Sequence, residues 1–228
     1  MLSMFTRLEY ELEVQKRFPQ LRSRALLVEG IDSTTYHPEL TAVFLNKADK
    51  RIAGTTEATL PEIQAWRRAF SDMGFRPTQY RCASESLLRR YRKNGELPAI
   101  HPIIDLCNVA SLAFAIPVAV FDVDRITGAL TVKHANGTEV YESFNCSFES
   151  PEPGEIIYAD DGGRAHARRW THRQSGWSAI RTDSHNVLIV AEALHDRADA
   201  DVLSLTASLR ESIVSMWPSS NVVEVSAL

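Results

Sequence analysis

The sequence predicts an α+β protein: a mainly antiparallel β core with covering helices. Three observations lead there. Helical spacing of apolar residues dominates up to about Phe114, short apolar runs follow from Pro117 to Leu194, and helical spacing returns from about Asp199. Those short runs lie close together, separated by turn-rich pieces such as "DRITG" and "ANGTE", unlike the strand–helix alternation of a doubly wound fold. The chain has 228 residues, 44% apolar and 24% charged, which suffices for a packed core.

"SRALLVEGI" reads as an early strand, rich in aliphatic and β-branched residues and stopped by Gly30. A helix follows "TLPE", with Thr59 as cap, Pro61 in the first turn and Glu62 closing a capping box. Ile63, Trp66, Phe70 and Met73 recur at helical spacing until Gly74. A second helix covers Glu85 to Asn94, and a third about Ile104 to Phe114, before Pro117. "PVAVFD", "GALTVKHA", "GEIIYA" and "NVLIVAEAL" are the strands of one mainly antiparallel sheet. A last helix from about Asp199 to Trp217 places Val202, Leu205, Leu209, Ile213 and Met216 on one face. Nothing repeats, and no linker divides the chain.

Composition excludes several classes. No apolar run spans a bilayer, and the acidic N-terminus lacks the apolar centre of a signal peptide. Cys82, Cys107 and Cys146 are too few and too scattered for a disulfide framework or a zinc site, which suits a reducing cytoplasm. No metal, nucleotide or cofactor motif occurs. The net charge of −4 argues against generic nucleic-acid binding, but positive charge is concentrated. Arg164, Arg168, Arg169, Arg173 and Arg181 fall in a stretch without acids, and "RRYRK" holds Arg89, Arg90, Arg92 and Lys93.

The stretch "IIDLCNVASLAFAIPVAVFD" joins a helix to a strand, yet carries Asp105 and Asn108 one turn apart and ends on Asp122. It resembles the B3/B4 domain of the phenylalanyl-tRNA synthetase β subunit, whose bacterial pattern runs like "VDVTNYVMLELGQPLHAFD". Residues 104–122 align with it without a gap, and Asp105, Asn108, Leu112, Pro117, Phe121 and Asp122 are identical. "DRITGALTVKHANGTE" looks like the following hairpin, and "RQSGWSAIRTDSHNVLIV" is similar to a second signature. The resemblance covers roughly residues 80–195 of a single domain, leaving 1–79 as an N-terminal elaboration and 196–228 as a C-terminal helix and tail. It implies a B3/B4-like, partly barrel-like β core and an editing function. That function would be hydrolysis of mischarged aminoacyl-tRNA in trans, with the acylated acceptor end of tRNA as partner. A non-catalytic RNA-binding module and a pocket for a free amino acid are the alternatives.

Hydrolysis of such an ester needs an acyl pocket, oxyanion donors and a positioned water. The resemblance puts Asn108 in that pocket, beside Asp105, Pro117 and Ala119; alternatively, Asn108 and Asp105 only bond nearby backbone groups. Arg173 and Gln174 would hold carbonyl or phosphate, Ser175 would orient water, and His172 would move a proton. Arg164, Arg168, Arg169, Trp170 and Trp177 combine charge with aromatic faces, as a single-stranded RNA end requires, unless the tryptophans are core. Asp122 either serves the site or closes a turn. Cys107, with apolar flanks, is expected buried and inert. Two departures bear on the pocket: Ala119 replaces the family histidine, and "ARRWTHRQSGWSA" lacks the glutamate that reads the phenol of tyrosine in the bacterial pocket. Tyrosine selectivity is therefore not expected unless an acid such as Glu85 or Asp160 folds in from a distance.

Overall fold

The computed structural model describes residues 5–35 and 37–226. The first half of the chain runs β1 (Phe5–Tyr10), α1 (Leu12–Arg17), β2 (Arg22–Glu29), α2 (Pro38–Ile52), α3 (Pro61–Asp72), α4 (Ala83–Asn94) and α5 (Pro102–Phe114). The second half is mostly strand: β3 (Val118–Asp122), β4 (Gly128–His134), β5 (Val140–Glu142), β6 (Phe148–Glu149), β7 (Ile156–Asp160), β8 (Arg164–Arg168), β9 (Arg173–Gln174) and β10 (Asn186–Ala193). It closes with α6 (Ala198–Met216) and β11 (Asn221–Val225). Among the described residues no helix is long and apolar enough to cross a membrane.

The β core is two sheets rather than the single one expected. Strands β11-β2-β10-β3 form a four-stranded antiparallel sheet. Strands β1-β4-β7-β8-β5-β6 form the second, with β9 added on β8 and with parallel pairs at β1–β4 and β5–β8. The strand pairing closes neither sheet among the described residues, so two open sheets replace the barrel-like core. The segment read as an N-terminal elaboration supplies β1 to one sheet and β2 to the other.

Asp122 marks the change of sheet. Its Oδ1 accepts from the Asp124 N–H at 3.0 Å and its Oδ2 from the Ser184 hydroxyl at 2.6 Å. The side chain thus caps a 3-10 turn, Val123–Arg125, that carries the chain from β3 toward β4. Asp122 closes a turn.

Strand β10 lies in the middle of its sheet and is apolar on both faces. Leu188 and Val190 join a core shared by both sheets and α3, whereas Val187, Ile189 and Ala191 join a second core under α5 and α6. Period-two alternation sends adjacent residues to opposite cores, which is why the strand reads as one continuous apolar run. Cys107 is buried in the second core, where burial pushes its thiol well above the ordinary range. The expected capping box is absent. Leu60 precedes α3 without a side-chain cap, and the Thr59 hydroxyl instead donates to Thr56 O at 2.8 Å. Glu62 is buried and pairs with Arg51.

Candidate functional site

A cavity of about 60 Å³ opens where the two sheets meet the start of α4. Pro117 and Ala119 from β3 and its approach, Tyr158 from β7 and Glu192 from β10 form its walls. Thr171, His172, Arg173 and Gln174, between β8 and the end of β9, form the remaining polar side.

The turn after β8 is bent by two consecutive left-handed residues, Arg169 at φ 48° and Trp170 at φ 57°. Neither is glycine, so the conformation carries strain and must be held by its surroundings. Arg169 N–H donates to Glu155 at 2.8 Å, Trp170 N–H to Ile156 O at 2.7 Å, and Trp170 Nε1 to Glu192 at 2.8 Å. The Trp170 ring meets Phe18 and Trp66 edge-on, at 5.1 and 5.0 Å between centroids. This anchoring aims residues 171–174 along the cavity.

The Thr171 hydroxyl in the cavity wall is buried and makes no hydrogen bond among the described residues. The Tyr158 hydroxyl in the same wall belongs to a buried hydrogen-bonded cluster with Glu192 and Tyr10. A buried hydroxyl without a partner, as at Thr171, is costly without a ligand or water. Glu192 is 2% exposed, and one of its oxygens accepts from Tyr10 at 2.7 Å and from Trp170 at 2.8 Å. Burial holds its carboxyl above the ordinary value despite those donors. His172 Nδ1 lies 2.7 Å from Arg81 O and 3.3 Å from Arg81 N. The shorter contact is to an oxygen that can only accept, which puts the proton on Nδ1 and leaves Nε2 as an acceptor. Burial lowers the His172 pKa, so the ring is neutral near pH 7.

The structure separates residues that the sequence reading grouped. Pro117, Ala119, His172, Arg173 and Gln174 share the cavity. Asn108 and Asp105 do not: they line a different groove, of about 200 Å³, beside α2 and the 95–99 loop. Helix α5 turns Leu106, Cys107, Val109 and Ala110 into the apolar core, which leaves 105 and 108 on its other side. Asp105 accepts from the Ile100 N–H at 2.9 Å, a local backbone bond. Ser175 is fully buried and its hydroxyl donates to Glu142 O at 2.7 Å, so it is not placed to orient a water in the cavity.

The expected RNA contacts are also redistributed. Arg168 is buried, with paired bonds of 3.0 and 2.8 Å to Glu155 and one of 2.7 Å to Glu149. Trp170 is core, with no face left for a base. Trp177 donates to Arg125 O at 2.9 Å, and the Arg164 guanidinium covers its ring at 4.0 Å. Arg169 lies over Tyr80 at 4.7 Å, and exposed Arg173 reaches Glu149 at 3.6 Å.

A carboxyl does reach the cavity wall, but not from either of the distant acids considered. Glu85 pairs with Arg67, and Asp160 lies 3.3 Å from His166, so neither enters the cavity wall. Glu192 does, and a sequence signal for it existed. In an otherwise apolar strand it shares the parity of Leu188 and Val190, and so their face. For a metal, the ligand atoms of Glu62, His195 and Asp201 lie within 4.8 Å of one another, with Arg51 on Glu62 and Arg197 at 3.7 Å from Asp201. Those arginines already supply the positive charge there.

No curated protein matches the chain. Among solved structures, it is similar to an N-terminal fragment of the phenylalanyl-tRNA synthetase β subunit from Pyrococcus horikoshii, with a TM-score of 0.51 at 11% identity. The match covers 97% of this chain and 52% of the other, so the chain spans about half the length of that fragment. At that identity the likeness is one of fold. The B3/4 domain matches residues 65–210, from α3 through the cavity wall to α6, and the chain belongs to the B3/4 domain family.

Proposed function

We propose that this protein hydrolyses mischarged aminoacyl-tRNA in trans, with the small cavity holding the amino acid. The observation that carries the reading is the unbonded buried hydroxyl of Thr171, in a cavity that also holds Tyr158 and His172. A bound ester and its water would supply the missing partner. Neutral His172 would take a proton from the attacking water through Nε2, while the Thr171 hydroxyl donates to the developing oxyanion. The carbonyl–oxygen bond to the ribose then breaks, and the ribose oxygen takes up a proton. Gln174 Nε2 already donates to Val120 O at 2.5 Å, so Gln174 shapes the wall rather than holding the ester.

The test is ester loss from a panel of mischarged tRNAs, run beside Ala119→Leu. That substitution adds an isopropyl group to the wall of a cavity of about 60 Å³ and should abolish turnover. Wild-type protein that accelerates no member of the panel refutes the reading.

A second reading, a binding pocket for a free small amino acid, draws on the neutralisation of Arg168 by Glu155 and Glu149. Calorimetric binding of a free amino acid by protein that hydrolyses no ester would select it.

A further inference from the structure

We infer that the basic groove along α4, lined by Arg90 and Lys93, is the docking surface for the phosphate backbone of the RNA whose acylated end enters the cavity. The inference rests on the proposed function for the cavity, but its own basis is charge and position. Residues 67–93 contain eight Lys and Arg against two acids, Asp72 and Glu85, in a chain whose net charge is −4. Glu85 is fully buried and takes up Arg67 and Arg81. Arg89 and Arg92 share the buried carboxylate of Glu57. Arg68, Arg76, Arg90 and Lys93 remain exposed, and no ion pair involves them among the described residues.

The 164–181 stretch, which looks more basic in sequence, offers less. Arg168 is paired with two glutamates, Arg164 lies on Trp177, and Arg181 bonds Gly176 O at 3.2 Å. Glutamates cancel the charge of Arg168, and Arg173 also reaches Glu149, whereas Arg164 and Arg181 keep their charge but are each engaged by a neighbouring group.

Position joins the two sites. Ala83, the first residue of α4, lies in the cavity wall, and the Arg81 carbonyl holds His172. At the helical rise of about 1.5 Å per residue, Arg90 and Lys93 stand roughly 10 and 15 Å farther along α4. Stacked nucleotides advance roughly 3.4 Å each. A strand entering the cavity by its 3′ end would therefore bring its third to fifth phosphates beside these cations. Arg90 and Lys93 also line an open groove of about 480 Å³, whose one acid, Glu57, is already held by Arg89 and Arg92. The half-buried rings of Phe75 and Tyr80 lie in the same stretch, with Arg169 over both, and add aromatic surface suited to RNA.

The test compares the double variants Arg90→Gln/Lys93→Gln and Arg164→Gln/Arg181→Gln, each checked for unchanged fold by circular dichroism. Binding of deacylated tRNA is measured across a salt series, and hydrolysis of an aminoacyl-adenosine, which has no phosphate, is measured alongside. The 90/93 variant should bind tRNA about tenfold more weakly. Its salt slope should fall by roughly 1.4–1.8, for two lost phosphate contacts at about 0.7–0.9 each. Its hydrolysis of aminoacyl-adenosine should equal wild type. Unchanged tRNA affinity in this variant, or loss confined to the 164/181 variant, overturns the inference. So does tighter binding to anionic phospholipid vesicles than to tRNA. Loss of tRNA binding in the 90/93 variant of a protein that hydrolyses no ester supports the surface and removes only the reaction.

Discussion

Glu192 is a buried carboxyl in the cavity wall, held by donors that include Tyr10 and Trp170, and its environment sets a pH dependence with a definite sign. Burial raises its pKa in the folded state above the ordinary 4.5. The folded state therefore binds this proton more tightly than the unfolded chain does. The stabilisation that follows is complete below about pH 4.5 and is lost as pH rises through the folded value. Glu192→Gln keeps an oxygen to accept from Tyr10 and Trp170 and removes the charge. The variant should melt higher than wild type at about pH 7–8, with the advantage vanishing below about pH 4.5. Thermal melts across that range check it, and a pH-independent difference would contradict the assignment. At this scale the sequence was only partly legible. His172 and Ala119 line the cavity, but Ser175 is bonded to Glu142 O and Arg168, expected to meet RNA, is buried against Glu155, because a residue's type does not reveal whether a backbone group or glutamate has already claimed it.

Among the elements, α4 shows how local chemistry fixes a boundary. It ends at Gly95 in the left-handed conformation, φ 77°, with the Gly95 N–H donating to Tyr91 O at 2.8 Å. A Cβ there would meet nothing within 4 Å, so only the backbone conformation penalises a side chain. Gly95→Ala should cost about 1–2 kcal/mol, read as a lower urea midpoint with an unchanged slope. Boundaries of this kind, in α3, α4, α5 and α6, were legible from helical period, proline and glycine, to within about two residues. Helix α2 was missed, although Leu40, Phe44, Ala48 and Ile52 recur every four residues along it and pack in or against the cores. The main strands were found, but their division between two sheets was not. Alternation tells which face of a strand is buried and says nothing of which strand lies alongside it.

In the whole molecule, two sheets share one core, and the cavity is the part of that core left unfilled beside the polar 171–174 turn. For the proposed acyl group, its size would be a stricter limit than its polarity. A dry cavity of roughly 150 Å³ is what a benzene ring occupies in a protein core; this one is about 60 Å³. Glu192 places a carboxyl in the wall from a distant segment, the alternative left open for Glu85 or Asp160. Yet one of its oxygens already serves Tyr10 and Trp170, and a phenol has no room to reach it. Side chains of roughly one to three carbons fit, and each surplus methylene costs roughly 1–3 kcal/mol in discrimination. Tyrosyl-tRNA should therefore be deacylated at least about tenfold more slowly than tRNA carrying a small aliphatic amino acid. Val118→Ala, which trims the wall, should narrow that ratio. Asn108→Ala should leave the rates unchanged, since Asn108 faces the separate groove beside α2. Rates of ester loss for tyrosyl- and alanyl-tRNA in wild type and these two variants decide the matter. A preference for tyrosine would mean that the cavity opens beyond its present walls, and a slow Asn108→Ala variant would mean that the two grooves act as one.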